Sequence, residues 1–148
     1  MKDAIEKFFS SPAYAVIGVS PDRKKFGNVV FRDMTERQFV VYPVNPKHQM
    51  VEDVKCFSSV TELPDDVQSV VTVVPPEVTE QVLGECVQKG ILNVWMQPGS
   101  ESKAALNFAA RNDMAVVSRE CILMFLEPVK SFHALHRMLR KLVGRYPK

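Results

Sequence analysis

A chain of 148 residues has room for one domain around one core, and 46% hydrophobic with 24% charged residues is the composition of a globular protein. No apolar run is long enough to cross a bilayer, the acid-bearing start MKDAIEKFFS does not read as a secretory leader, and three distant cysteines argue against a disulfide framework or a CxxC site, so a cytoplasmic protein is expected. The net charge of +2 hides an asymmetry: residues 129–148 carry six basic residues and no acids, against 13 basic and 17 acidic residues elsewhere, which gives little support to nucleic-acid binding by the protein as a whole.

A short N-terminal helix is followed by an apolar β-rich run, YAVIGV (14–19), that breaks at Gly18 and Ser20. GNVVFRDMTERQ (27–38) places Val30 and Met34 on one side and Arg32, Asp33, Glu36 and Arg37 on the other, which is helical spacing. FVVYPV (39–44) reads as a second strand, VKCF (54–57) as a short edge strand and SVTELP (59–64) as a helical turn with Ser59 or Thr61 near its cap. The β-branched QSVVTVV (68–74) is a strand stopped by Pro75-Pro76. A helix over 77–90 repeats Val78, Val82, Leu83, Cys86 and Val87 and closes on Gly90, a natural residue just past a helix end. Then come a strand at 91–96, a helix at 100–113, a strand at 114–118 and a basic amphipathic helix at about 129–145.

Strands separated by helices of this length need parallel crossovers, and near-continuous apolar strands have no wet face. The expectation is an α/β fold: a doubly wound, Rossmann-like parallel sheet of five to six strands in a single domain. Residues 1–128 form that domain, and 129–148 form a basic helix packed on it. The first long strand is expected at the centre, between 39–44 and 68–74.

In such a sheet a ligand lies beyond the carboxyl ends of the strands, where the strand order reverses. Five loops fall there: GVSPDRKKFG, VNPK, VVPPE, MQPGS and SREC. The start of helix 27–38 offers free N–H groups and partial positive charge. Gly18 permits close backbone approach, Ser20 adds a hydroxyl, and Arg23, Lys24, Lys25 and Lys47 add cations. Each cation alone reads as a solvated loop residue; gathered beside a helix N-terminus they suit a polyanion. Where an NAD site of this fold carries an acid at the end of strand two, this chain has Val44-Asn45-Pro46-Lys47. A neutral amide followed by a cation favours a ribose that is itself phosphorylated, which leaves NADP and coenzyme A. The Walker pattern GxxxxGK[ST] is absent from the sequence.

The ordered set VIGVS…FG, VYPVNPK, VVTVVPPE and WMQPGS resembles the CoA-binding domain family, whose members are similar to the N-terminal domain of the succinyl-CoA synthetase α subunit. The resemblance covers roughly residues 10–127. It implies that Gly18, Val19 and Ser20 line the pyrophosphate or adenine-ribose region, with Lys25 and Gly27 in the same loop. It further implies that Asn45 and Pro46 border the adenosine, that Val74, Pro75 and Pro76 form an apolar wall, and that Gln97, Pro98 and Gly99 lie where the pantetheine arm leaves. Charge adds Arg23 and Lys47 as partners of the 3′-phosphate. A homodimer is what the family leads one to expect.

The synthetase subunit continues into a second domain carrying a phosphorylated histidine. The present chain is expected to lack that domain, and with it ligase activity. His48, His133 and His136 do not replace that histidine, and no metal site is expected. GVSP is not a nucleophile elbow, and no His–acid pair marks acid–base catalysis. Cys121, in SRECILMF, reads either as a buried small hydrophobe, the commoner role, or as a thiol facing the rim, where it could form a mixed disulfide with CoA or be activated by Arg119. Cys86 reads as core. The tail stripe Phe132, Leu135, Met138, Leu139, Leu142 and Val143 is expected to pack on the domain or a second subunit rather than on a membrane. The expected function is a binding module for CoA or acyl-CoA without turnover. An NADP-dependent oxidoreductase and an interaction module with a vestigial crevice are the alternatives.

Overall fold

The computed structural model describes residues 1–127. The expected terminal helix and its charges lie outside them. Helix α1 (Lys2–Phe9) leads into β1 (Ala13–Ile17), then α2 (Phe26–Glu36), β2 (Val41–Val44), β3 (Met50–Val51), β4 (Val54–Lys55), β5 (Val67–Thr72), α3 (Pro76–Lys89), β6 (Asn93–Met96), α4 (Lys103–Arg111) and β7 (Ala115–Ser118). Single 3-10 turns occupy Val60–Glu62 and Ile122–Met124.

Five strands form one sheet in the order β2-β1-β5-β6-β7, and every pairing is parallel. β1 does lie between β2 and β5, but β5 holds the middle of the sheet, because two strands rather than one follow it on its far side. The expected edge strand at 54–57 is also different. Only Val54–Lys55 is extended, and it pairs antiparallel with Met50–Val51 in a separate hairpin. Phe57 returns to the sheet in a single bridge to Val44.

Both faces of the sheet are covered, as the apolar strands require. Ala13, Ala15 and Ile17 of β1 pack with Val82, Leu83 and Cys86 of α3 and with Ala105 and Ala109 of α4. The alternate residues Tyr14 and Val16 pack with Phe8 of α1 and with Val30, Phe31 and Met34 of α2. Trp95 is fully buried in this second layer, in ring contact with Phe8, Phe9 and Phe125, and its indole N–H donates to the Glu120 carbonyl at 2.8 Å.

Local signals set the element ends. Pro43 is tolerated because β2 is an edge strand, where a missing N–H costs little, and its carbonyl still accepts from Phe57 N at 3.0 Å. Pro76 opens α3 with a preset φ, and Gly90 closes it in the left-handed region at φ 80°. Ser102 caps α4, its hydroxyl oxygen accepting from Ala105 N at 2.9 Å, and ties that helix to α3 by donating to Glu80 at 2.6 Å.

Candidate functional site

The chain leaves β1 toward β2 on one side and later returns to β5 on the other, so the strand order reverses between β1 and β5. Gly18 follows β1 directly, at φ 106°, and a Cβ there would stand 2.2 Å from the Val73 carbonyl oxygen just beyond β5. A Cβ on Gly27, in the first turn of α2, would stand 2.2 Å from the Gly18 carbonyl oxygen. Two glycines nine residues apart in sequence are thus stacked in space. They draw the α2 N-terminus onto the reversal point with no side chain between.

The loop between them is fixed from several directions. Asn28 is fully buried, and its side chain grips Ser20 at both ends, accepting from Ser20 N at 3.0 Å and donating to Ser20 O at 2.7 Å. Ser20 Oγ accepts from Asp22 N at 3.2 Å, and Asp22 accepts from Lys24 N at 3.0 Å. Lys25 is the residue before the first turn and caps it with no side chain of its own. Arg23, Lys24 and Lys25 are all exposed around it.

The neighbouring loops are tied to this one and to each other. Asn45 spends its amide on the protein: Nδ2 donates to Val19 O and Oδ1 accepts from Lys47 N, each at 2.9 Å. Pro46 and Lys47 are exposed, and with His48, Gln49, Lys55, Cys56 and Glu62 they border a polar hollow of about 630 Å³ beyond the β2 end. Val74 N donates to the buried hydroxyl of Ser100 at 3.1 Å, joining the VVPPE and MQPGS loops. Thr72, at the end of β5, and Thr79, in the first turn of α3, are fully buried with hydroxyls that have no partner among the described residues.

The anticipated residues therefore divide. Gly18, Ser20, Arg23, Lys25, Gly27, Asn45, Pro46, Lys47, Val74, Pro75, Pro76, Pro98 and Gly99 sit on or immediately behind the loops at the strand ends. Val19 is fully buried with the α1 and α2 layer, leaving its backbone to face the loop region. Gln97 is 2% exposed, and its carboxamide faces the protein: Oε1 accepts from Ile122 N at 2.9 Å and Nε2 reaches Cys121 Sγ at 3.7 Å. Cys121 is half-buried against Ile122 and Leu123. Cys86 is core as expected, and burial with the nearby Glu85 charge pushes its thiol to about 12. Burial also raises the Cys56 thiol, against a hydrogen bond to the Asn45 carbonyl that lowers it.

Sequence reasoning missed Asn28, Ser100 and Glu52. Asn28 left a readable trace, a polar side chain on the apolar face that carries Val30, Phe31 and Met34. Glu52 left none, because it acts from the tip of the small hairpin. Its side chain is 5% exposed and receives Arg32 at 2.6 Å, Asn28 at 2.9 Å and Arg23 at 3.3 Å. Burial pushes its carboxyl up, but those hydrogen bonds and the two guanidinium charges outweigh it and hold the group below the ordinary range.

A second, more apolar hollow of about 520 Å³ lies outside β2 between α2 and the hairpin, walled by Phe31, Phe39, Val41, Tyr42, Val54 and Phe57 and bordered by Arg32 and Glu52. Among the described residues no group of three or more His, Cys, Asp and Glu is arranged to hold a metal ion, and no helix is long and apolar enough to cross a membrane.

A parallel sheet with helices on both faces, reversing beside a glycine-lined helix start, defines a Rossmann-like protein. Residues 12–127 match the family described as the CoA binding domain, and the chain belongs to that family. It is 33% identical over 129 residues to the α subunit of ADP-forming acetate–CoA ligase II of Pyrococcus furiosus, covering 80% of this chain and 28% of that subunit. The chain thus spans under a third of the length of that curated relative. Two solved structures match over most of their length. A conserved hypothetical protein from Pyrococcus furiosus superposes with TM-score 0.74 at 38% identity, over 77% of this chain and 98% of that one. A hypothetical protein from Pyrococcus horikoshii gives TM-score 0.76 at 30% identity, over 82% and 85%.

Proposed function

We propose that this chain is a binding module for coenzyme A, free or acylated, that holds its ligand across the strand ends from Gly18 to Pro75 and has no turnover reaction of its own. The observation that carries the reading is the stacked pair Gly18–Gly27. A side chain at either position would strike a neighbouring backbone carbonyl, so only a glycine pair lets the α2 N-terminus, a favourable place for an anion, lie this close to the strand ends. The cations Arg23, Lys24 and Lys25 surround that point, and Lys47 stands by the β2 end.

The choice of nucleotide follows from Asn45. Its amide braces Val19 and Lys47, and it is neutral where an NAD site of this fold carries an acid for the ribose hydroxyls. A 3′-phosphorylated ribose suits the exposed Lys47 and the polar hollow next to it. Pro75, Pro98 and Gly99 are exposed at the next strand ends and give the pantetheine arm a surface with few charges to desolvate. The ligase activity of the related subunit is not carried over, since the match covers 28% of that subunit.

Calorimetric titration of CoA, dephospho-CoA, NADP and NAD into one preparation tests this. The reading expects CoA to bind most tightly and dephospho-CoA to lose affinity. A preference for NADP, or no heat with any of the four, would contradict it.

A further inference from the structure

This inference rests on the reading of loop 18–25 as a phosphate site. The hairpin tip that joins β3 to β4 carries two successive non-glycine residues in the left-handed region, Glu52 at φ 49° and Asp53 at φ 59°. Two-residue turns of this kind favour Asn-Gly or Asp-Gly, since a Cβ opposes that backbone, Asn and Asp tolerate it best and Gly has none. Glutamate at the first position is locally unfavourable, and its own turn gives no reason for it. The reason lies across the molecule, at the other end of its side chain.

One carboxylate oxygen of Glu52 accepts from Asn28 Nδ2 at 2.9 Å and from Arg32 Nη1 at 2.6 Å. The other accepts from Arg23 Nε at 3.3 Å. Asn28 in turn holds Ser20 by its N–H and carbonyl, and Arg32 Nη2 donates to the Arg23 carbonyl at 3.0 Å. A single carboxylate, 5% exposed, therefore governs both ends of the segment 20–23 and the side chain of Arg23 itself.

The way Arg23 is held matters. Its Nε is engaged, while the side chain remains 71% exposed and its terminal Nη groups have no partner among the described residues. A guanidinium anchored at Nε keeps its outer fork for a phosphate, and anchoring removes part of the rotamer freedom that binding would otherwise have to freeze. We propose that Glu52 is a positioning residue for ligand specificity: it presents Arg23 to the 3′-phosphate, so that discrimination between CoA and dephospho-CoA depends on a carboxylate that does not itself touch the ligand.

The test is a double-mutant cycle on the full chain, with Kd for CoA and for dephospho-CoA measured in the wild type, Glu52→Gln, Arg23→Ala and the double variant. Glu52→Gln is expected to lower the ratio of the dephospho-CoA Kd to the CoA Kd about fivefold, and to lower it no further when Arg23 is already alanine. A purely structural role would weaken both ligands alike and persist in the Arg23→Ala background. That result overturns the inference, as does tighter CoA binding by Glu52→Gln, which would mean that the carboxylate withholds Arg23. Should Glu52→Gln not fold, Arg23→Lys decides: it keeps the charge on an exposed side chain but loses the Nε anchor and the fork. A ratio reduced as far as in Arg23→Ala supports the inference, and a ratio equal to wild type overturns it. Absence of CoA binding by the wild type would overturn the proposed function itself, and is distinct from CoA binding with an unchanged ratio, which overturns the inference alone.

Discussion

Gly27→Ala is the sharpest perturbation the structure offers. The added methyl would lie 2.2 Å from the Gly18 carbonyl oxygen and 2.7 Å from its carbon, both backbone atoms at the end of a fully buried strand. An ordinary carbon–oxygen contact is about 3.3 Å, so the first turn of α2 must withdraw by roughly 1 Å. Overpacking of this kind costs about 2–3 kcal/mol, and for a chain of this size about 3 °C of Tm is lost per kcal/mol, or roughly 6–9 °C. Gly84→Ala is the internal control. Its methyl would meet nothing within 4 Å, and in the middle of α3 it should stabilise by about 0.5–1 kcal/mol through helix propensity. Thermal melts followed by circular dichroism, with CoA titrations on the same samples, read both quantities. Gly27→Ala should melt lower and lose about tenfold or more in CoA affinity, because the α2 amides proposed to meet the phosphate would be displaced, while Gly84→Ala should melt slightly higher with affinity intact. Gly27→Ala with Tm and affinity both equal to wild type would refute the reasoning from contact geometry to site.

The exposed cations give a second prediction: Lys25→Ala and Lys47→Ala should each weaken CoA binding by about 1 kcal/mol, roughly fivefold, and flatten its salt dependence, and an unchanged affinity in both would remove the phosphate assignment. Glu52 gives a prediction in pH. Its carboxyl is lowered in the folded state, so the stability it supplies is complete above the unfolded-chain value of about 4.3 and is lost as pH falls through the lower folded value. Urea melts should therefore show the gap between wild type and Glu52→Gln narrowing below about pH 4, whereas a gap independent of pH would contradict the ion-pair network. The thiols give the last. With its pKa near 12, Cys86 is almost entirely protonated at pH 8, about one thiolate in ten thousand, so a thiol reagent should label half-buried Cys121 first and Cys86 only on unfolding. Equal labelling rates for the two would contradict the packing of α3.

Much of this architecture was legible because the sheet is buried on both faces. β1 is apolar throughout, β6 nearly so and β5 rich in β-branched residues, helices of amphipathic spacing separate them, and Gly90 and Pro76 mark boundaries by backbone geometry alone. What depended on distant pairing was less legible. Residues 54–57 have a strand's composition, yet the turn at Glu52-Asp53 folds Val54 back on Val51 and leaves only Phe57 for the sheet. The position of β5 at the centre depends on how many strands join beyond it, which no local pattern encodes. In the site, the glycines and loop cations were visible as residue types. The bracing was not: Asn28, Ser100 and Glu52 act through contacts 8 to 29 residues away. Gln97 shows the converse, a polar residue in a promising loop whose carboxamide is turned inward to hold Ile122.

The measurement closest to the central claim is a crystal structure of the protein grown with coenzyme A. Density is expected across the strand ends between Gly18 and Pro75, with phosphate groups within hydrogen-bonding distance of the α2 N-terminus. Coenzyme A seated instead in the apolar hollow outside β2, or strand ends closed over by the protein's own side chains, would contradict it.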